Sequence, residues 1–138
     1  MKNYELIEHT ADIGIRVKGR DLKDLFCNAA SAIFDIIAEK KPSRSGARKT
    51  IAIKQKADNL QELFVSWLNE LLSLSAAKGI IFARFQIKKL SNRALEALAA
   101  GAGAENYRVN TEVKAATYHQ LKIEKENSGW LAEVIFDV

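Results

Sequence analysis

The residues able to do chemistry sit near the two ends of the chain. His9, Thr10 and Asp12 place an imidazole, a hydroxyl and a carboxylate within four residues. Asp137 supplies a second isolated carboxylate, and Val138 follows it with a terminal one. Carboxylate oxygens are the usual protein donors to hard cations, so Asp12, Asp137 and Val138 suggest a site for calcium, magnesium or manganese. Two negative groups held at one strand end repel unless a cation or a positive side chain lies between them. Sequence spacing alone does not bring Asp12 to Asp137; pairing of the first and last strands would. Taken by itself, the first segment is better served by a plainer account, in which Asp12 caps a turn and His9 is an ordinary histidine. Nucleophilic catalysis finds little support. His9 and His119 are the only histidines, and the serines and threonines near them form no nucleophile elbow.

The elements that must position these groups follow from hydrophobic periodicity. Ile13, Ile15 and Val17 alternate as in a strand, with Gly14 at a point where another segment can approach closely. Asp21 is a good N-cap, with Asp24 near the positive helix end. Leu22, Leu25, Phe26, Ala29, Ile33 and Ile37 then predict an amphipathic helix to about Glu39, ended at the latest by Pro42. Ile51 and Ile53 alternate among lysines. Asp58, with Gln61 at the position that can reach back, predicts the cap of a second helix. Leu60, Leu63, Phe64, Trp67, Leu68 and Leu71 form its broad apolar face, and Gly79 closes it. This helix is expected at the centre of the core, with Trp67 as an anchor rather than a ligand-binding residue.

Ile81, Ala83, Phe85 and Ile87 predict another strand. Ser91–Glu105 is open: Arg93 to Ala100 favours helix, while its place between strands permits a strand. Gly101-Ala102-Gly103 reads as a turn and lacks the lysine and preceding apolar strand of a phosphate loop. Val113 to Ile123 reads as one strand, joined through Asn127-Ser128-Gly129 to a last strand from Trp130. In that last strand Trp130, Ala132, Val134 and Phe136 share the core face, and Asp137 projects from the other. The expected order β–β–α–β–α–β–β–β is an α+β domain spanning 1–138, two helices packed on a mostly antiparallel β-sheet.

Composition bounds the reading. The 138 residues, 48% of them hydrophobic, suffice for one domain with a core. The net charge of +4, from 21 basic and 17 acidic residues, suits an RNA-associated partner without establishing one. The single cysteine, Cys27, cannot form an internal disulfide and is expected to pack as a small hydrophobe. The chain shows no apolar stretch of membrane-spanning length and no secretory leader pattern, so a soluble, cytoplasmic protein is expected.

Four separated blocks resemble one family. His9 to Ile15, Ala57 to Leu72, Val113 to His119 and the closing Phe136-Asp137-Val138 are similar, in this order, to the archease signature. The resemblance spans essentially the whole chain, with Ser91–Glu105 matching least. It implies a sandwich-like or barrel-like domain that acts as a non-enzymatic cofactor of the GTP-dependent RNA ligase joining tRNA exon halves. That role comprises promoting guanylylation of the ligase's active-site histidine, broadening nucleotide use and supporting repeated turnover. An older reading of the family is a chaperone for a tRNA methyltransferase. Carried over by position, the resemblance implies metal ligation by Asp12 and Asp137, with the Val138 carboxylate as a third ligand. It also places Lys114 and His119 around the site, with His9 orienting the Asp12 loop. Lys114 would meet a phosphate or a ligase carboxylate, or be a solvated strand lysine; for His119 a packed role is preferred to ligation. A basic RNA-binding module is the rival reading, and a metal-dependent hydrolase a weaker third.

Overall fold

Asp21 starts the first helix as its chemistry predicts: its carboxylate accepts the Asp24 amide at 2.8 Å. The computed structural model describes residues 3–7, 12–41 and 48–138. Among these, β1 (Tyr4–Ile7) and β2 (Ile13–Gly19) precede α1 (Leu22–Ile37). The helix stops two residues before the expected end, because Ala38 is already extended. β3 (Ala38–Lys40) pairs there with the later β7 (Tyr107–Val109), and cross-strand pairing overrides the helix propensity of Ala38 and Glu39. Pro42 lies outside the described residues.

After β4 (Lys49–Lys56), the cap of α2 (Leu60–Lys78) is Asn59 rather than Asp58. The Asn59 side chain accepts the Glu62 amide at 2.8 Å, one residue later than the expected Asp58–Gln61 pairing. Both residues suit an N-cap, and sequence alone does not choose the register between them. Gly79 closes the helix in the left-handed region, with φ of 64°, where a Cβ is unfavourable.

β5 (Ile80–Leu90) departs from simple alternation. Its register shifts between Phe82 and Arg84 and between Ile87 and Lys89; Ile80, Ile81, Phe82 and Ile87 are buried, and Ala83 is exposed. The open segment resolves as β6 (Ala94–Gly103), the middle strand of the order β4-β6-β5. Leu95, Ala97 and Ala99 are buried while Glu96 and Leu98 are half-buried, a period of two that fits a strand and not a helix. Gly101 to Gly103 therefore continue the strand and are not a turn. A Cβ on Gly101 would strike the Ile81 carbonyl, so the close approach of β5 requires glycine there.

The expected single strand from Val113 to Ile123 is two short ones, β8 (Ala115–Ala116) and β9 (Lys122–Glu126), split by a turn in which Gln120 takes φ of 53°. β9 and β10 (Gly129–Asp137) form the expected hairpin, pairing Glu126 with Gly129 around Asn127 and Ser128.

The α+β class holds, and every pairing among the described strands is antiparallel. The strands form more than one sheet, however. β1, β2, β10, β8 and β9 make one sheet; β4, β6 and β5 make another; β3 and β7 form a small pair. α1 packs on β2 of the first sheet and β5 of the second, and α2 touches β8 as well as β4, β5 and β6. The helices are thus the middle layer. Trp67 is fully buried at its centre, and its indole N–H donates to the Phe26 carbonyl of α1 at 2.9 Å. Phe26 meets Phe64 edge-on at 5.1 Å, which joins the two helices a second time. Ala132, Val134 and Phe136 are fully buried as expected, but Leu131 and Ile135 on the opposite face are also nearly buried. Cys27 packs partly buried against this core. No helix among the described residues is long and apolar enough to cross a membrane.

Candidate functional site

β2 lies between β1 and β10, and its ladder to β10 ends at the pair Ile13–Phe136. Asp12 stands one residue before Ile13, and Asp137 one residue after Phe136. In an antiparallel pair these positions lie at the same end. The carboxylates of Asp12 and Asp137 are therefore brought to one strand end by backbone register. Alternation does the rest for Asp137: Phe136 points into the core with no exposure, and Asp137 is exposed. Asp12 is half-buried. Gly14, two residues on, sits in a regular ladder rather than a bulge. A Cβ there would lie 3.3 Å from both Cβ and O of Ile7, so glycine lets β1 close tightly over β2 beside this end.

β8 adds Lys114 to the same end. Ala115 pairs with Asp137, and the Lys114 amide donates to the Asp137 carbonyl at 2.9 Å. The Lys114 side chain is exposed, and Val138 beyond Asp137 is 43% exposed. The segment before β8 is tethered in turn, since the Asn110 and Thr111 amides both donate to the Ile37 carbonyl at the end of α1.

The residue that seats β8 is one the sequence reading passed over. Asn69 of α2 accepts the Ala116 amide at 2.7 Å and donates to the Ala116 carbonyl at 3.2 Å. A carboxamide carries the same donor and acceptor as a peptide group, so Asn69 serves Ala116 as a neighbouring strand would. The available signal was a half-buried polar side chain between the buried Leu68 and Leu71.

His119 follows β8, three residues beyond Ala116. The Thr117 amide and hydroxyl each donate to the Ile135 carbonyl at 2.9 Å, so β8 runs away from Asp137 as it proceeds. His119 is exposed, with its amide donating to the Thr117 hydroxyl at 3.3 Å; the packed histidine expected here is not what forms. His9 lies outside the described residues.

On the outer face of the same sheet a cation is paired with carboxylates. The Arg16 guanidinium donates to Glu5 and to Glu133, each at 2.6 Å, across three adjacent strands. These bonds, that to Glu5 first, push its already high pKa further up.

Among the described residues, no group of three or more His, Cys, Asp or Glu side chains is placed to hold a metal ion. Among the described residues, the side-chain oxygen donors that the β2–β10 register brings to this end are the carboxylates of Asp12 and Asp137. An all-oxygen set suits a hard cation, but calcium takes six to eight oxygens. Asp12 and Asp137 alone are fewer donors than such an ion takes.

Residues 4–138 match the sequence model of the Archease protein family (MTH1598/TM1083). The archease of Methanosarcina acetivorans is 38% identical over 144 residues, covering 99% of this chain and 97% of that protein. The archease of Pyrococcus furiosus is 36% identical, with all of both chains covered. Among solved structures, protein 1598 of Methanobacterium thermoautotrophicum superposes with a TM-score of 0.76 at 30% identity, over the whole of both chains. A Thermotoga maritima protein described as an archease and possible chaperone superposes with a TM-score of 0.68 at 26% identity, covering 96% of this chain and 94% of that one.

Proposed function

The chain belongs to the Archease family, and from that footing we propose that it is a cytoplasmic, non-enzymatic protein cofactor of a GTP-dependent tRNA-splicing RNA ligase. Its role is to promote guanylylation of the ligase and repeated turnover. The observation that carries this reading is the β2–β10 register, which sets Asp12 and Asp137 at one exposed end beside Lys114. Nucleotidyl transfer is an electrostatic problem: charge on the transferring phosphoryl group must be met by positioned cations. When bound, a divalent cation supplies that positive charge. Asp12 and Asp137 would hold it, with an oxygen of Val138 as a further donor. Lys114 meets a phosphate or a ligase carboxylate at the rim. Asp12, Asp137 and Lys114 act by positioning and by charge, so the chain needs no nucleophile of its own.

The test is a ligation and guanylylation assay under limiting ligase, with and without this protein. The expected result is faster guanylylation and multiple turnovers, with no nucleotide hydrolysis by this protein alone. An unaffected ligase would contradict the reading. A second reading, as a chaperone that modulates a tRNA methyltransferase, is favoured by the description of the Thermotoga maritima relative as a possible chaperone. It predicts protection or redirection of such an enzyme in the same comparison, with the ligase unchanged.

A further inference from the structure

The second sheet has a face that the ligase reading does not use. β4, β6 and β5 present one side to the helices, and apart from the buried Ile81 the side chains of the other side are exposed or half-buried. On that outer side and its rim stand Lys54, Lys56, Arg84, Lys88, Lys89 and Arg93, all exposed. Glu96 is set among them, 3.9 Å from both Lys54 and Lys89, and Asp58 stands at the rim just past Lys56. The excess of four positive charges on this single layer equals the net +4 of the whole chain. Among the described residues, Lys56, Arg84, Lys88 and Arg93 have no carboxylate within ion-pair distance. The contrast with the first sheet is direct, since its outer face pairs Arg16 with two glutamates. Unneutralised like charges on one face repel and offer no benefit to folding; they are compensated when a polyanion lies across them.

We infer that the outer face of the β4-β6-β5 sheet is a docking surface for the phosphate backbone of RNA. The shape selects RNA over duplex DNA. A major groove about 12 Å wide takes a helix or a two-stranded ribbon. Three strands about 4.8 Å apart, with their side chains, are too broad for it. A single-stranded chain or the wide, shallow minor groove of A-form RNA can lie on such a surface. Thr50 and Gln86, exposed between the cations, can donate to or accept from ribose hydroxyls. The centre of the face is Ala52, Leu98 and Ala100, with no aromatic ring on which a base could stack. Recognition is therefore of the backbone and tolerant of sequence. This surface is independent of the ligase reading, because the helices separate its sheet from the one that carries Asp12 and Asp137.

The experiment is fluorescence anisotropy of a labelled single-stranded RNA of mixed sequence, titrated with the full chain between about 50 and 200 mM KCl. Counterion release of about 0.7 per phosphate contact on a single strand, from the four unpaired cations, predicts a slope near −3 in log K against log salt. The triple variant Lys56→Glu/Arg84→Glu/Arg93→Glu should weaken binding more than tenfold and flatten that slope. Lys125→Glu on the first sheet should not. Should the triple variant melt early, Lys56→Gln/Arg93→Gln replaces it and should still weaken binding severalfold. Equal RNA affinity in the reversal variants, or no RNA binding by the wild type at micromolar concentration, would overturn the inference. Tighter binding of duplex DNA than of RNA, or displacement of RNA by polyglutamate at equal charge, would also overturn it; the latter would assign the face to an acidic protein instead.

Discussion

Asp12 and Asp137 are 125 positions apart in the chain yet end up at adjacent places on neighbouring strands, because Ile13 pairs with Phe136. What each contributes separates cleanly from folding in the case of Asp137. Its side chain is exposed at a strand end, where substitutions change stability by less than about 0.5 kcal/mol. Asp137→Asn should therefore melt in urea within that margin of the wild type; a larger loss would make the carboxylate a structural group. Cys27 is the opposite kind of residue. Burial above all pushes its thiol pKa up; a backbone hydrogen bond at Ile87 opposes it, and the nearby Asp24 and Asp21 add smaller upward pushes. The nucleophile is the thiolate, so raising the pKa lowers reactivity at any pH below it. Alkylation by iodoacetamide at pH 8 should be at least about tenfold slower in the native protein than in urea, and the ratio should narrow as pH rises.

At the scale of elements, the short strand β8 decides whether Lys114 stands beside Asp137. Two residues of ladder are too few to hold a strand, and Asn69 supplies the missing partner through both main-chain groups of Ala116. Asn69→Ala would leave a donor and an acceptor unpaired at a half-buried site, at a cost of about 1–3 kcal/mol. Chemical denaturation should show that loss, and hydrogen exchange at the Ala116 amide should accelerate well beyond the global change. A uniform change across all amides would mean that Asn69 does not act on β8 in particular. This clamp also shows where sequence reasoning ends. Strongly periodic segments such as Leu22–Ile37, Leu60–Lys78 and Gly129–Asp137 were readable because burial on one face imposes a period. Gly79 as a C-cap and Asp21 as an N-cap were readable because local chemistry decides them. The bulges of β5, the strand assignment of Ala94–Gly103 and the split of Val113–Ile123 were not. Each depends on a partner distant in sequence: β6 forms because β4 and β5 flank it, and β8 is short because a side chain from α2 takes the place of a strand. The carboxylates were identifiable by type, and their meeting only as a condition on strand pairing.

For the whole molecule, the layer order sets the outer faces of the two sheets apart. The helices between the two sheets hold the core, with Trp67 and Phe26 tying α1 to α2. One sheet ends in the acidic pair, and the other turns a basic face outward. A rigid scaffold that presents charge at fixed points suits a protein acting on another protein's active site, where positioning carries most of the effect. The central claim is that Asp12 and Asp137 work together on the ligase. Its most direct test is the rate of ligase guanylylation, measured at limiting ligase with equal folded concentrations of wild type, Asp12→Asn, Asp137→Asn and the double variant. Two groups serving one site lose function non-additively. The account predicts that each single variant loses at least about tenfold of the stimulation and that the double variant loses little more than either. Full stimulation by Asp12→Asn or Asp137→Asn, at unchanged fold, would contradict it.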